Sequence, residues 1–257
     1  MPDINPELLR EIEIELEKSS ESPPYAFHTI SGTHKGFYKD KNEDSFYVDE
    51  HQGLWLVADG MGGHARGSDA SANVVDNVRS FSCLKTLSET IKDLETRFLL
   101  SNNACRTMYQ KQVVGSTVAA FLAYQTLAIF LWAGDSRVYR LREGVLKLMT
   151  EDHNLAQELV RRGEVSLDDA QMNPSAHVLT RAIGIHQNLK IEMQSASIKS
   201  GDRYLISSDG LYRDFNFDEV EKILSVEASE DLLDKLVSEA LRRGGRDNIT
   251  GILVSVA

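Results

Sequence analysis

The chain reads as a mixed α/β domain built on antiparallel sheets with helices packed outside them. Three observations lead there. Short apolar runs rich in Val, Ile, Leu, Phe and Tyr recur along most of the chain, bounded by Gly, Asp and Ser. Longer stretches with helical spacing interrupt them. Neighbouring runs such as 116–124 and 126–133 are joined by turns too short for a crossover helix, so they must pair antiparallel.

Taken in order, residues 1–24 form an N-terminal extension. Leu8, Leu9, Ile12 and Leu16 fit a helical face, while Ile12, Ile14 and Leu16 also alternate as in a strand; both readings stay open. Ser22-Pro23-Pro24 ends that segment. From Tyr25 onward a single domain, 25–257, is expected. Its strands are predicted at 25–31, 45–49, 53–58, 116–124, 126–133, 136–142, 189–197, 203–208 and 249–256. Helices are predicted at 66–81, 87–112, 153–163, 217–225 and 229–243. In the last of these, Leu232, Leu233, Leu236, Val237, Ala240 and Leu241 recur on one face. Residues 152–188 are polar and contain Asn173-Pro174-Ser175. They read either as a flap over a site or as an ordinary surface excursion.

Composition narrows the function. With 28 basic and 39 acidic residues the net charge is −11, which argues against a nucleic-acid partner. Cys83 and Cys105 sit in segments that read as helix, and neither belongs to a CxxC pair, so neither a disulfide framework nor a zinc site is expected. The acidic N-terminus lacks an apolar signal region. The apolar run 117–134 is interrupted by Tyr124, Gln125 and Thr126 and reads as two strands, not as a membrane span. A cytoplasmic protein without membrane attachment is expected.

The acidic residues carry the chemistry. Trp55-Leu56-Val57-Ala58 runs into Asp59-Gly60, and Tyr204-Leu205-Ile206-Ser207-Ser208 runs into Asp209-Gly210. Asp247-Asn248 leads into Ile249, Asn42-Glu43-Asp44 precedes Ser45-Phe46-Tyr47-Val48, and Asp135 lies between two strands. One such aspartate usually caps a turn. Five acidic clusters abutting apolar strands are a different matter: if the strand ends converge, the carboxylates repel and need a shared cation. Oxygen-only donors select Mg²⁺ or Mn²⁺. Two such ions about 4 Å apart bind phosphoryl oxygens and activate a bridging water. No GxSxG elbow, Cys-x5-Arg cradle or Walker-type loop offers another route.

In this order the motifs resemble the metal-dependent Ser/Thr protein phosphatases of type 2C, in their bacterial form. The matching pieces are Asn42-Glu43-Asp44, Asp59-Gly60-Met61-Gly62-Gly63-His64, Gly115-Ser116-Thr117, Gly134-Asp135-Ser136-Arg137, Val178-Leu179-Thr180-Arg181-Ala182-Ile183-Gly184, Ser208-Asp209-Gly210-Leu211 and Arg246-Asp247-Asn248-Ile249-Thr250. The resemblance implies an antiparallel β-sandwich flanked by helix pairs on both outer faces, with 152–188 as a mobile flap. It implies that Asp59 bridges two catalytic metals, that Glu43 and the Gly60 carbonyl bind one, and that Asp209 and Asp247 bind the other. By the same likeness Asp44 orients water at the metals, and Asp135 shares a weaker third ion with Asp209. The implied activity is hydrolysis of phosphoserine and phosphothreonine in proteins, opposing a Ser/Thr kinase, by a chain expected to be monomeric.

Three positions depart from the family pattern. Lys39 stands where an arginine usually grips the substrate phosphate, and lysine offers a point charge without a two-pronged grip. Arg213 occupies a position that is acidic in some relatives. Met61 replaces a histidine found in eukaryotic forms, leaving His64 or a metal-bound water as the acid; His153 reads as a turn residue. A phosphoprotein-binding module without turnover, or an enzyme acting on small phosphometabolites, are the competing functions.

Overall fold

The computed structural model describes residues 4, 6–18, 25–62, 66–108, 112–166, 170, 175, 178–226 and 231–257. Its strands are β1 (Phe27–His34), β2 (Asp44–Asp49), β3 (Leu54–Met61), β4 (Gly115–Ser116), β5 (Val118–Tyr124), β6 (Leu127–Ala133), β7 (Arg137–Arg142), β8 (Val145–Leu148), β9 (Glu192–Ser197), β10 (Arg203–Ser207) and β11 (Ile249–Val256). Its described helices are α1 (Pro6–Lys18), α2 (Arg66–Val78), α3 (Leu87–Met108), α4 (Leu155–Arg161), α5 (Asp209–Tyr212), α6 (Phe217–Leu224) and α7 (Leu232–Arg242). One sheet runs β1-β11-β10-β7-β8 and the other β2-β3-β5-β6-β9, with β4 added beside β3. Every pairing is antiparallel.

Alternation along each strand builds three apolar layers. In β3, Leu54, Leu56 and Ala58 face α2 and α3, while Trp55 and Val57 face the opposite sheet. In β5, Leu122 and Ala120 join the first layer, and Phe121 and Ala119 the second. Burial on both faces is why these strands read as continuous apolar runs. Between the sheets Phe121 stacks on Trp55 at 4.9 Å and on Tyr204 of the facing sheet at 4.3 Å. A third layer packs Leu205 and Leu253 against α5, α6 and α7 through Leu211, Val220, Leu233 and Leu236. The result is the four-layered sandwich, helices outside and two antiparallel sheets within.

Several boundaries differ from the sequence reading, each for a local reason. Strand β3 runs on to Met61, so Asp59 lies inside a strand, because Gly60 and Met61 pair with Ser116 and Gly115. The stretch 116–124 breaks at Thr117, whose N–H bonds Asp59 O at 2.8 Å. The unpredicted β8 is a four-residue edge strand closed by Glu143-Gly144, both with positive φ as a type I′ turn requires. The unpredicted α5 is a single turn. Cys83 is exposed in the connection before α3 and not in a helix, whereas Cys105 is buried in α3. Residues 109–111, at the end of the predicted 87–112 helix, lie outside the described residues, as do 227–230, Asn173-Pro174 and His64.

The N-terminal segment becomes a helix, not a strand. Ile12 is buried, and Leu8, Leu9 and Leu16 pack against the same layer as α3. Glu13 Oε1 accepts the Ser88 N–H at 2.9 Å, satisfying one of the donors that the start of α3 leaves open. Among the described residues, no helix is long and apolar enough to cross a membrane.

Candidate active site

At one end of the sandwich the inward-facing series turns from apolar to polar. Two residues beyond Val57 on the same face comes Asp59; two before Phe46 comes Asp44. Ser208 follows Ile206 in the same way, Thr250 precedes Ile252, Thr117 precedes Ala119, and Ser136 precedes Val138. The strand period therefore delivers a set of oxygen-bearing side chains to one place, as a continuation of the core.

Asp44 and Asp59 face one another across the β2–β3 pair. Ser208 Oγ donates to Asp44 Oδ2 at 2.8 Å, and the Thr250 N–H donates to Ser208 Oγ at 3.0 Å. Burial pushes the Asp44 carboxyl up to about 7, with nearby Asp209 and Asp247 adding repulsion against these stabilising hydroxyls. Its Oδ1 is buried without a hydrogen-bond partner among the described residues. Asp59 is walled in by protein but keeps a partly open side. Burial and then the charges of Asp44, Asp209, Asp135 and Asp247 hold its carboxyl well above the usual range. Asp135 is raised likewise by burial and by Asp209 and Asp152, against the pull of Arg137. Four aspartates at the ends of separate strands or in separate turns thus act on Asp59 at once.

Small residues and hydroxyls position these acids. The Asp59 N–H donates to Thr117 Oγ1 at 3.0 Å, and Ser116 Oγ donates to Asp59 O at 3.1 Å. Thr117 and Ser136 hydroxyls meet at 2.6 Å, tying the Asp135 turn to β5. Ser116 in turn exchanges backbone bonds with Ile183 at 3.0 and 2.9 Å, which accounts for the Val178–Gly184 motif. Glu43 is held by the first turn of α2: the Gly67 N–H donates to Glu43 Oε1 at 3.1 Å, and Ser71 Oγ donates to Glu43 O at 2.5 Å. A Cβ at Gly60 would lie 2.0 Å from Gly67 O and 2.7 Å from Glu43 O, so only glycine lets helix and strand close here.

Asn248 is the central clamp. Its Oδ1 accepts the Glu43 N–H at 2.8 Å, and its Nδ2 donates to Lys35 O at 2.7 Å and Lys41 O at 3.1 Å. It therefore joins Asp247 to the whole segment that carries Lys39 and Glu43. The Lys39 ammonium lies 2.5 Å from Asp247 Oδ1. Burial opposes its charge, yet Asp247, Asp59 and Glu43 leave its pKa raised. Arg213 pairs with Asp209 and reaches Asp247 at 3.5 Å. Thus Glu43, Asp44, Asp59, Gly60, Asp135, Asp209, Asp247 and Lys39 are brought into one neighbourhood. His153 is elsewhere: it is buried, accepts the Gly134 N–H at 3.1 Å, stacks near Trp132 and lies 3.1 Å from Glu192. It is a core residue, not a turn residue.

The donor set fits hard divalent cations. It is oxygen-only, buried at Asp44 and Asp135 and half-buried at the other acids, and holds more negative charge than Lys39 and Arg213 offset, with an unpartnered oxygen on Asp44. Among the described residues no three acids close into a ready-made cage. Lys39 pairs with Asp247, and Arg213 with Asp209 and Asp247. Beside the cluster a cavity of about 320 Å³ opens toward α4, with Asp135, Asp209 and Arg213 on one wall and Asp152, Asn154 and Ala156 on the other.

Ser208, Thr117 and Asn248 lie within the matching motifs without an assigned role, and Ser71 lies in none of them. The signal was present for two of them: a polar residue two places beyond the last inward-facing apolar one.

Comparisons with known proteins agree with this architecture. The family model for protein phosphatase 2C matches residues 32–253. The serine/threonine phosphatase stp of Listeria monocytogenes serotype 4b (strain F2365) is 32% identical over 250 residues, covering 88% of this chain and 95% of that protein. Among solved structures, PppA, a key regulatory component of T6SS in Pseudomonas aeruginosa, is 35% identical with a TM-score of 0.82, covering 90% of this chain and 98% of that one. The catalytic domain of the serine/threonine protein phosphatase PstP in complex with two manganese ions is 28% identical with a TM-score of 0.81, covering 91% of this chain and 100% of that one. This chain belongs to the protein phosphatase 2C family and is a serine/threonine protein phosphatase of its bacterial form.

Proposed function

We propose that this phosphatase removes phosphate from phosphoserine and phosphothreonine in proteins, reversing a Ser/Thr kinase, as a cytoplasmic monomer using Mg²⁺ or Mn²⁺. The observation that supports it is the convergence of Asp44, Asp135, Asp209 and Asp247 on Asp59, which concentrates negative charge that bound divalent cations would relieve. Asp59 would bridge two ions; Glu43 and the Gly60 carbonyl would hold one, and Asp209 and Asp247 the other. Asp135 with Asp209 would hold a weaker third. When bound, such ions supply a water activated near neutral pH and positive charge for the phosphoryl oxygens. The chain's own residues do the rest. Asp44, buried and fixed by Ser208, orients the attacking water through its second oxygen. Lys39, at the rim, draws in the phosphate by charge.

The test is turnover of an aryl phosphate, a phosphothreonine peptide and a sugar phosphate with Mn²⁺ and with EDTA. Turnover of the first two that EDTA abolishes is expected. No turnover, or turnover indifferent to EDTA, sinks the proposal, and a higher kcat/KM on the sugar phosphate would move the substrate class. Lys39→Ala should raise KM for both peptide and aryl phosphate by about tenfold, the loss of one charge-assisted contact. An unchanged KM would remove Lys39 from the site.

A further inference from the structure

The connection from β1 to β2 carries an unusual side-chain set for a chain of net charge −11: Lys35, Phe37, Tyr38, Lys39 and Lys41 fall within seven residues. Two neighbouring aromatics are left in solvent, Phe37 65% exposed and Tyr38 76%. Lys35 and Lys41 are exposed as well. Large apolar side chains grouped on a surface mark a contact site more often than isolated ones do.

This segment is held firmly. Asn248 bonds the carbonyls of Lys35 and Lys41 at its two ends. The Phe37 N–H donates to Gly245 O at 2.8 Å. Gly36, at φ +77°, passes so close that a Cβ there would lie 2.2 Å from Asp247 O. The Phe37 ring meets His34 edge-on at 6.1 Å. Between these anchors Lys39 turns inward to Asp247, while its two predecessors stay exposed. The aromatics are therefore fixed to the backbone that carries Asp247, immediately before the residue that meets the phosphate.

We propose that Phe37 and Tyr38, flanked by Lys35 and Lys41, form a docking lip for the substrate polypeptide, selecting an acidic phosphorylated segment with an apolar or aromatic side chain beside the phosphorylated residue. The proposal rests on the phosphatase reading of the adjoining site. Charge supports the occupant: an acidic segment is repelled by the chain's net charge but attracted by exposed Lys35 and Lys41, which outnumber Asp40 between them. Continuity with Lys39 supports it too, because Phe37 and Tyr38 immediately precede it on the same anchored segment. Aromatic anchors supply apolar area at small entropic cost, so a short peptide gains most from them.

The experiment compares the Mn²⁺-loaded parent with a Phe37→Ser, Tyr38→Ser double variant on two substrates. One is a phosphothreonine peptide with acidic flanks and a neighbouring leucine; the other is p-nitrophenyl phosphate, too small to touch the lip. Peptide KM is expected to rise about tenfold with kcat unchanged, while both constants for the aryl phosphate stay within about twofold. Exchanging the peptide leucine for glycine should raise KM for the parent and not for the variant. Lys35→Ala with Lys41→Ala should flatten the salt dependence of kcat/KM on the peptide. An unchanged peptide KM in the variant overturns the lip and leaves the site reading standing. So does a changed sedimentation mass without a KM effect, which would make the aromatics a contact for a second copy. A parallel loss on the aryl phosphate also overturns it, since the aromatics would then be supporting Asp247. A parent that turns over neither substrate defeats both readings.

Discussion

Asp59→Asn should cut turnover by about 10³-fold or more, a barrier increase of about 4 kcal/mol, while leaving the fold intact. The substitution keeps shape and removes the charge on which four other aspartates act. Nothing apolar depends on it, because the core contacts of β3 end at Val57 and Ala58. The metal-free variant should melt at the parent's temperature or a few degrees above it, since one member of a repelling, buried set has become neutral. Added Mn²⁺ at a hundredfold its Kd should stabilise the parent by about 2.7 kcal/mol and the variant by far less. Thermal melts with and without Mn²⁺, set beside kcat on an aryl phosphate, decide the matter. Turnover above about a tenth of the parent's would remove Asp59 from the position that bridges the ions.

Asn248→Ala should have the largest effect on stability of any polar change near the site. It deletes three hydrogen bonds, to the Glu43 N–H and to the carbonyls of Lys35 and Lys41. Asn248 is buried, so water replaces these contacts poorly. At about 1 kcal/mol each, the loss is about 3 kcal/mol. For a chain of this size that lowers the melting temperature by roughly 6–12 °C. Activity and Mn²⁺ affinity should fall as well, because Glu43, Lys39 and Asp247 lose their common tie. Asn248→Asp keeps the acceptor for Glu43 but not the donors, and should fall between parent and alanine variant in stability. A melting temperature within about 2 °C of the parent's would show that the clamp is dispensable.

The sequence by itself determined the antiparallel, helix-flanked class and singled out the acids. Continuous apolar runs at β3, β5, β6 and β11 marked buried strands, and the turn between β5 and β6, too short for a crossover, required that pair to be antiparallel. The acids at 43–44, 59, 135, 209 and 247 stood out because carboxylates beside buried strands are costly without a partner. These signals are local, carried by residues a few places apart. Edge strand β8 escaped notice because an alternation of only four residues is too short to register. Only the tertiary structure decided which strand ends meet. Asp44 faces Asp59 through the β2–β3 register, and Ser208 reaches Asp44 across the sandwich. Asn248 binds Glu43 over a separation of 205 residues. Such contacts follow from how two sheets stack, a property of the assembled layers that no window of sequence contains. The same stacking aligned the polar continuations of six strand faces into one cluster. It also left Phe37 and Tyr38 of the β1–β2 connection exposed.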